Sequence, residues 1–219
     1  MADELIATAR ERLFTAVLSD VLDAAGRRSQ AMHPGVRPLD DALVMVGRAR
    51  TGSYADVYHV APGENPYELE IRLVDDLAPD EVVVLAAGAS GRIAPWGELL
   101  STACRARRAA GCVTDGLVRD IRAIRALRFP VFAGGIGPLD TKGRGKVVAI
   151  DVPVECGGVA VRSGDLVFGD ADGVVVIPRE IEGEILRAAL DKVSGEDRTR
   201  AALERGEKLA DVFARHGIL

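Results

Sequence analysis

Along the first 25 residues, Leu5, Ile6, Leu13, Val17, Leu18 and Val21 return at close to helical spacing, and Gly26 supplies a stop. The spacing predicts one helix over residues 3–25. After a polar loop around His33-Pro34-Gly35, residues 43–51 read as a strand. Asn65-Pro66-Tyr67-Glu68 then carries the marks of a helix start: a capping side chain, a proline suited to the first helical position and a glutamate at the capping-box position. That helix bears Leu69, Ile71, Leu73 and Val74 and ends before Pro79. Residues 81–87 form a continuous apolar run, the pattern of a strand buried on both faces. A further helix opens at Gly97 and carries Leu99, Leu100, Ala103 and Ala106. Cys112-Val113-Thr114 leads as a strand into a turn at Asp115-Gly116, followed by a short helix over residues 121–127 and a strand over residues 130–133.

Up to that point strands and helices alternate, which predicts α/β layering. Beyond it the pattern changes. Residues 134–145 are glycine-rich, carry Lys142 and Arg144, and read as a solvated loop. The β-like runs at residues 147–154, 158–161, 166–168 and 174–177 have no helices between them, so this part of the sheet is expected to be mostly antiparallel. Asp165 and Asp172-Gly173 are turn signals there; Glu155, Asp170 and Asp172 are candidate site carboxylates, although turn chemistry explains the two aspartates. From Pro178 the chain is helical: Ile181, Ile185, Ala189 and Val193 form one stripe, Gly195 is a candidate break, and Leu209 and Val212 support a last helix. No repeat or interdomain linker is evident, so the expectation is a single domain over residues 1–219 with residues 179–219 as a helical C-terminal extension.

Composition narrows the function classes. With 48% hydrophobic residues the chain can bury a sizeable core, but aromatics at 4% leave Ala, Val, Leu and Ile to fill it. A net charge of -5 argues against general nucleic-acid binding or attachment to an anionic membrane. No apolar run approaches the ~18 residues of a membrane helix. The first residues lack a signal-peptide pattern. Three cysteines without CxxC spacing fit a reduced, cytoplasmic setting. The three histidines lie far apart, which leaves a zinc site or a histidine triad without support.

The candidate chemistry sits in two places. Gly88 and Gly91 follow a strand, but Arg92 to Trp96 intervene before the next helix, so a phosphate-binding glycine loop is not formed. At Gly97-Glu98-Leu99-Leu100 a helix begins with a glycine. Its free first-turn amides can receive a small carboxylate, although Glu98 can equally serve to complement the helix dipole. In Asp115-Gly116-Leu117-Val118-Arg119-Asp120 a cation and a carboxylate follow a buried strand, at a sheet rim where ligands bind. Asp120 can cap the next helix, bind a metal, or do both. Arg105, Arg107 and Arg108 read as a solvated face, and Cys104 as a small buried apolar residue.

These motifs together resemble a known family. Gly97-Glu98-Leu99-Leu100, the segment from Asp115 to Asp120, Gly134-Gly135-Ile136-Gly137-Pro138, Val152-Pro153-Val154, Gly157-Gly158-Val159, Gly164-Asp165-Leu166-Val167 and the run from Gly169 to Pro178 are similar, in order and spacing, to the regulator of ribonuclease activity A and the 4-hydroxy-4-methyl-2-oxoglutarate aldolases. Ser19-Asp20-Val21-Leu22-Asp23 extends the resemblance toward the start. It implies a layered α/β/β domain of the swivelling type with a helical C-terminal tail, assembled as a homotrimer or a dimer of trimers. It implies a lyase that needs Mg2+ or Mn2+, splits pyruvate from 4-hydroxy-4-methyl-2-oxoglutarate or 4-carboxy-4-hydroxy-2-oxoadipate, and decarboxylates oxaloacetate. In that pattern Asp120 is the direct metal ligand, while Glu98 and, from the neighbouring subunit, Glu196 hold metal-bound water. Backbone amides at Gly97, Glu98, Leu99 and Leu100 receive the pyruvate carboxylate, and Arg119 contacts substrate oxygens. Ser194-Gly195-Glu196 departs from the family's more alanine- and lysine-rich segment at that point. The other branch of the family implies a different class, a non-catalytic regulator that binds a ribonuclease.

Overall fold

The computed structural model describes residues 2–88 and 90–217, with side chains from residue 4 onward. Its strands are β1 Arg37–Pro38, β2 Met45–Asp56, β3 Glu81–Ala86, β4 Gly111–Val118, β5 Val131–Ile136, β6 Gly145–Ile150, β7 Val154–Cys156, β8 Val159–Val161, β9 Leu166–Asp170 and β10 Gly173–Ile177. Its helices are α1 Ala2–Arg12, α2 Thr15–Ala24, α3 Glu68–Asp75, α4 Glu98–Ala106, α5 Ile121–Leu127, α6 Glu182–Glu204 and α7 Leu209–His216.

One mixed sheet organises the chain in the order β1-β5-β4-β3-β2-β9-β10, with β6 also paired to β2. The pairs β2–β3, β3–β4 and β4–β5 are parallel, joined through α3, α4 and α5. The remaining pairs are antiparallel, as the helix-free pattern of the later strands predicts. The sheet curls almost closed. Residues just before β1 bond to β10 at the opposite edge, through Met32 N–H to Val174 O at 2.9 Å and Val176 N–H to Gln30 O at 2.9 Å. The Arg37 guanidinium adds a bond to Asp172 O at 2.8 Å.

Alternation along the strands explains the layers. Val83 and Leu85 face α3, α4 and α5 in one apolar cluster with Leu73, Cys104 and Ile124. Val82 and Val84 face inward, packing with Phe132, Val167, Val176 and the β7–β8 hairpin. A third cluster joins α1, α2 and α6 to the outer faces of β9 and β10. Both faces of the central strands are therefore covered, which is why they read as continuous apolar runs. The result is the α/β/β layering that the family resemblance implies, with α6 of the helical tail packed on α1 and α2. Among the described residues no helix is long and apolar enough to cross a membrane.

Several boundaries differ from the pattern-based expectation, each for a local reason. The helix expected over residues 3–25 is two helices, because Phe14 is extended and the Thr15 amide and hydroxyl donate to the Asp170 carboxylate at 2.7 and 2.6 Å. Asp170 thus caps α2 from a distant strand while also accepting the Asp172 amide in its own turn. The strand expected over residues 43–51 continues to Asp56, with a bulge at Ser53/Tyr54 against β6. Asn65 accepts the Tyr67 amide at 3.1 Å in a turn, which delays α3 to Glu68. Asp115-Gly116 is not a turn. β4 runs through it, and Gly116 is needed because a Cβ there would lie 2.8 Å from Ala87 and 3.2 Å from Pro95. Gly134 and Gly135 belong to β5 rather than to the loop, since Gly134 lies against the Asp115 carbonyl. Gly195 is buried inside α6 without breaking it; the helix ends instead at Gly206, whose φ of 83° is left-handed. The two-residue strand β1 has no signal in the hydrophobic pattern.

Candidate active site

The carboxyl end of β4 delivers Arg119 and Asp120, and the loop after β3 delivers the start of α4. Two contacts stitch these segments together: Trp96 pairs with Val118 in a parallel bridge, and the Arg119 amide donates to Trp96 O at 3.0 Å. Trp96 is almost fully buried, and its indole N–H donates to Ser101 Oγ at 2.8 Å; Ser101 in turn bonds Gly97 O at 3.0 Å. The α4 N-terminus is therefore held in register with the end of β4. Asp115 fixes the loop from the other side, accepting the amides of Ala87, Gly88 and Gly157.

Asp120 occupies the N-cap position of α5 in a left-handed conformation, with φ 61° and ψ 31°, and its side chain makes no capping bond there. Its Oδ2 instead accepts the Glu98 amide, at the first turn of α4, at 3.2 Å. The carboxylate is therefore turned away from its own helix and toward the start of α4. Gly97 makes this possible, since a Cβ on it would lie 2.7 Å from Asp120 Oδ2. The Leu99 and Leu100 amides, also in that turn, have no carbonyl of their own helix to bond. Leu99 has an exposed side chain at the rim.

Arg119 lies between two carboxylates. Its Nε is 3.7 Å from Asp120 Oδ2 and its Nη1 is 3.3 Å from Asp140 Oδ1. Tyr67 donates its hydroxyl to Asp140 Oδ2 at 2.9 Å. Burial opposes ionisation of Asp140, but the Tyr67 bond, the Thr141 and Lys142 amides and the Arg119 charge outweigh it and hold the carboxyl below its usual range. The Tyr67 phenol moves up, through burial and the Asp140 contact. These residues line a cleft of about 330 Å³ together with Glu70, Ile71, Pro95, Leu100 and Thr141.

The structure brings Gly97, Glu98, Leu99, Leu100, Arg119 and Asp120 to one place. The Glu98 carboxylate folds back along α4 to accept the Thr102 hydroxyl at 2.7 Å, so only its backbone meets Asp120. Glu196 is on α6, whose apolar face packs with α1, α2, β9 and β10, and it is not among the residues lining this cleft. Tyr67, Glu70, Asp140 and Thr141 escaped the sequence reading. Glu70 did leave a signal: it stands three and four residues before Leu73 and Val74, an acid on the buried face of α3. Asp140 and Thr141 lie in a loop and left none.

A metal can be tested against these groups. Among the described residues, no cluster of three or more His, Cys, Asp or Glu side chains is arranged to cage an ion. Asp120, with its side chain 48% exposed at the cleft, offers a single open carboxylate. That donor set does not suit zinc, but it fits a magnesium-type cation that keeps most of its water.

A nearly closed mixed sheet, with an arginine–aspartate pair at the end of a parallel strand facing a helix start across a cleft, defines a class of α/β proteins. Within that class the chain belongs to the RraA-like family, described as Aldolase/RraA, whose family model matches residues 15–176. A relative from Halalkalibacterium halodurans, named "Putative 4-hydroxy-4-methyl-2-oxoglutarate aldolase", is 35% identical over 86% of this chain and 84% of its own length. Among solved structures, an uncharacterized protein from Pseudomonas syringae superposes with a TM-score of 0.84 at 26% identity, covering 97% of this chain and 98% of that one. Streptomyces coelicolor RraAS2, described as an unusual member of the RNase ES inhibitor RraA protein family, superposes with a TM-score of 0.79 at 29% identity, over 90% of this chain and 96% of that one.

Proposed function

We propose that the protein is a divalent-metal-dependent lyase for small 2-keto diacids. It cleaves 4-hydroxy-4-methyl-2-oxoglutarate or 4-carboxy-4-hydroxy-2-oxoadipate to pyruvate and a second keto acid, and decarboxylates oxaloacetate as a related activity. The observation that carries this reading is the Asp120 carboxylate, turned away from its own helix toward the α4 amides beside Arg119. Several relatives are named putative 4-hydroxy-4-methyl-2-oxoglutarate aldolases, which supports the aldol-cleavage part of this reading.

In this account the α4 start receives the substrate's 1-carboxylate through the Leu99 and Leu100 amides, an arrangement helix N-termini favour. Gly97 leaves the space that Asp120 and Arg119 occupy beside that helix start, which a Cβ would take. Arg119 presents its planar fork to the keto and carboxylate oxygens and stabilises negative charge that develops as the carbon–carbon bond breaks. Asp140, itself held by Tyr67, orients that guanidinium. Asp120 would hold Mg2+ or Mn2+ directly, with Glu98 and a neighbouring subunit's Glu196 bonding its waters. The ion's contribution is Lewis-acid polarisation of the keto acid. The Glu98 carboxylate must leave Thr102 to take that role, and Glu196 requires the homotrimer or dimer of trimers.

A second reading, a ribonuclease-binding regulator without chemistry, rests on the likeness to the Streptomyces protein. One assay separates the two. Purified protein is given each of the three keto acids with Mg2+, with Mn2+ and with excess chelator, and pyruvate is followed by coupled reduction. The lyase reading expects pyruvate release that chelator abolishes. Absence of pyruvate from all three substrates with either metal contradicts it.

A further inference from the structure

The proposed cleavage needs a group that accepts a proton from a hydroxyl and later gives one to carbon. The cleft's lining holds three carboxyl groups, Glu70, Asp120 and Asp140, with Glu98 beside it at the start of α4, and among the described residues no lysine or histidine. Three of the four are already engaged. Asp120 accepts the Glu98 amide and lies beside Arg119. Glu98 accepts the Thr102 hydroxyl. Asp140 is bonded by Tyr67 and paired with Arg119, and it stays ionised well below neutral pH. Glu70 is hydrogen-bonded too, but unlike the other three it is buried. It is 7% exposed, it projects from α3 into the cleft wall, and its Oε1 accepts the hydroxyl of Tyr54 from β2.

We propose that Glu70 is the proton-transfer group of the cleft: its carboxylate takes the proton of the substrate's C4 hydroxyl as the C3–C4 bond breaks, and its carboxyl then returns that proton to C3 of the pyruvate enolate. The assignment rests on the lyase reading. The electrons balance within the substrate. The O–H pair becomes the new C=O bond of the departing keto acid, the C3–C4 pair becomes the enolate, and protonation at C3 turns that pair into a C–H bond. Glu70 ends as it began, a carboxylate, and two keto acids leave. Oxaloacetate needs only the second half, since loss of CO2 leaves the same enolate.

The surroundings suit a group that must both take and give a proton near neutral pH. Burial raises the Glu70 carboxyl to about 7, against a downward pull from the Tyr54 hydroxyl, with Asp140 adding to the rise and Arg119 opposing it. The other titratable groups around it are Tyr67 at the start of α3 and Cys112 on β4, both of whose protonated forms Glu70 favours. Tyr54, raised by burial and by Glu70, stays a neutral donor.

The test uses the full-length protein with Mg2+ and two readouts: pyruvate release across pH 5 to 9, and deuterium exchange into the pyruvate methyl group in D2O. Glu70→Gln keeps an acceptor oxygen for Tyr54 but cannot carry a proton. It is expected to lose kcat and methyl exchange together by about 10²- to 10⁴-fold, the usual weight of a general acid–base group, with KM changed only a few-fold. Tyr54→Phe removes the bond that favours the carboxylate, so the acid limb of its pH–rate profile should move to higher pH. That arm stands whether or not Glu70→Gln folds, and a purely structural Glu70 would not move the limb. Exchange in folded Glu70→Gln within threefold of the parent, or an acid limb unmoved in Tyr54→Phe, overturns the assignment while leaving the lyase reading intact. A parent protein that neither releases pyruvate nor exchanges its methyl protons overturns both.

Discussion

Gly97→Ala separates a site residue from a structural one. A Cβ at this position would lie 2.7 Å from Asp120 Oδ2 and 3.3 Å from Arg119 Cγ. An ordinary carbon–oxygen contact requires several tenths of an ångström more, so the Asp120 carboxylate must swing away and release the Glu98 amide. The backbone itself tolerates alanine, because φ of −157° is extended. Losing one hydrogen bond to a half-exposed carboxylate, and a glycine at an N-cap, costs about 1 kcal/mol, partly offset by the lower entropy of the unfolded alanine chain. Stability should therefore change by no more than about 1 kcal/mol. Activity should fall far more, since displacement of catalytic groups by under an ångström can cost on the order of 10²-fold. Urea unfolding and pyruvate release measured on the same preparation check both halves. Activity within threefold of the parent would refute the claim that the Asp120–α4 contact builds the site.

Other substitutions test separate parts of the account. Arg119→Lys keeps the charge but loses the planar fork, so turnover should drop at least tenfold, and near-parental kinetics would remove its assigned role. Glu70 also predicts a stability profile. Its folded pKa of about 7 exceeds the ordinary 4.5, so the folded state retains a proton that the unfolded chain has lost between those values, and stability declines as pH rises through that window. Glu70→Gln lacks this decline and should gain on the parent by roughly 3 kcal/mol between pH 4 and pH 8, measured by urea unfolding; parallel curves would show that the carboxyl is not buried. Asp170→Ala removes both acceptors at the start of α2 and should cost about 1–2 kcal/mol of stability with activity unchanged.

The sequence carried more of this fold than of its cleft. Central strands covered on both faces leave an unbroken apolar run, so Val82 to Leu85 are visible without any partner. The change from alternating strands and helices to helix-free runs likewise anticipated where the sheet turns antiparallel. What stayed hidden depends on distant contacts. The break at Phe14 comes from Asp170, far along the chain, and the strand through Asp115-Gly116 exists because glycine packs closely against Ala87 and Pro95. A local pattern registers glycine as a turn and cannot see such packing. The arginine–aspartate pair was legible because it ends a strand before a helix. Its setting was not, because α3 and the loop carrying Asp140 reach the cleft from elsewhere in the chain. Glu70 is the intermediate case, an acid on an apolar helix face whose meaning appears only when Tyr54 is placed opposite it.

The central claim is that Asp120 anchors a metal-dependent keto-acid lyase. The most direct measurement is pyruvate release from 4-hydroxy-4-methyl-2-oxoglutarate by the parent and by Asp120→Asn, each with Mg2+ and after chelation. Asparagine tolerates the left-handed backbone at this position, so the variant should remain folded. The account predicts steady release by the parent with Mg2+, none after chelation, and at least a 10²-fold loss in Asp120→Asn that added Mg2+ does not restore. Equal release by the two proteins, or release indifferent to chelator, would contradict it.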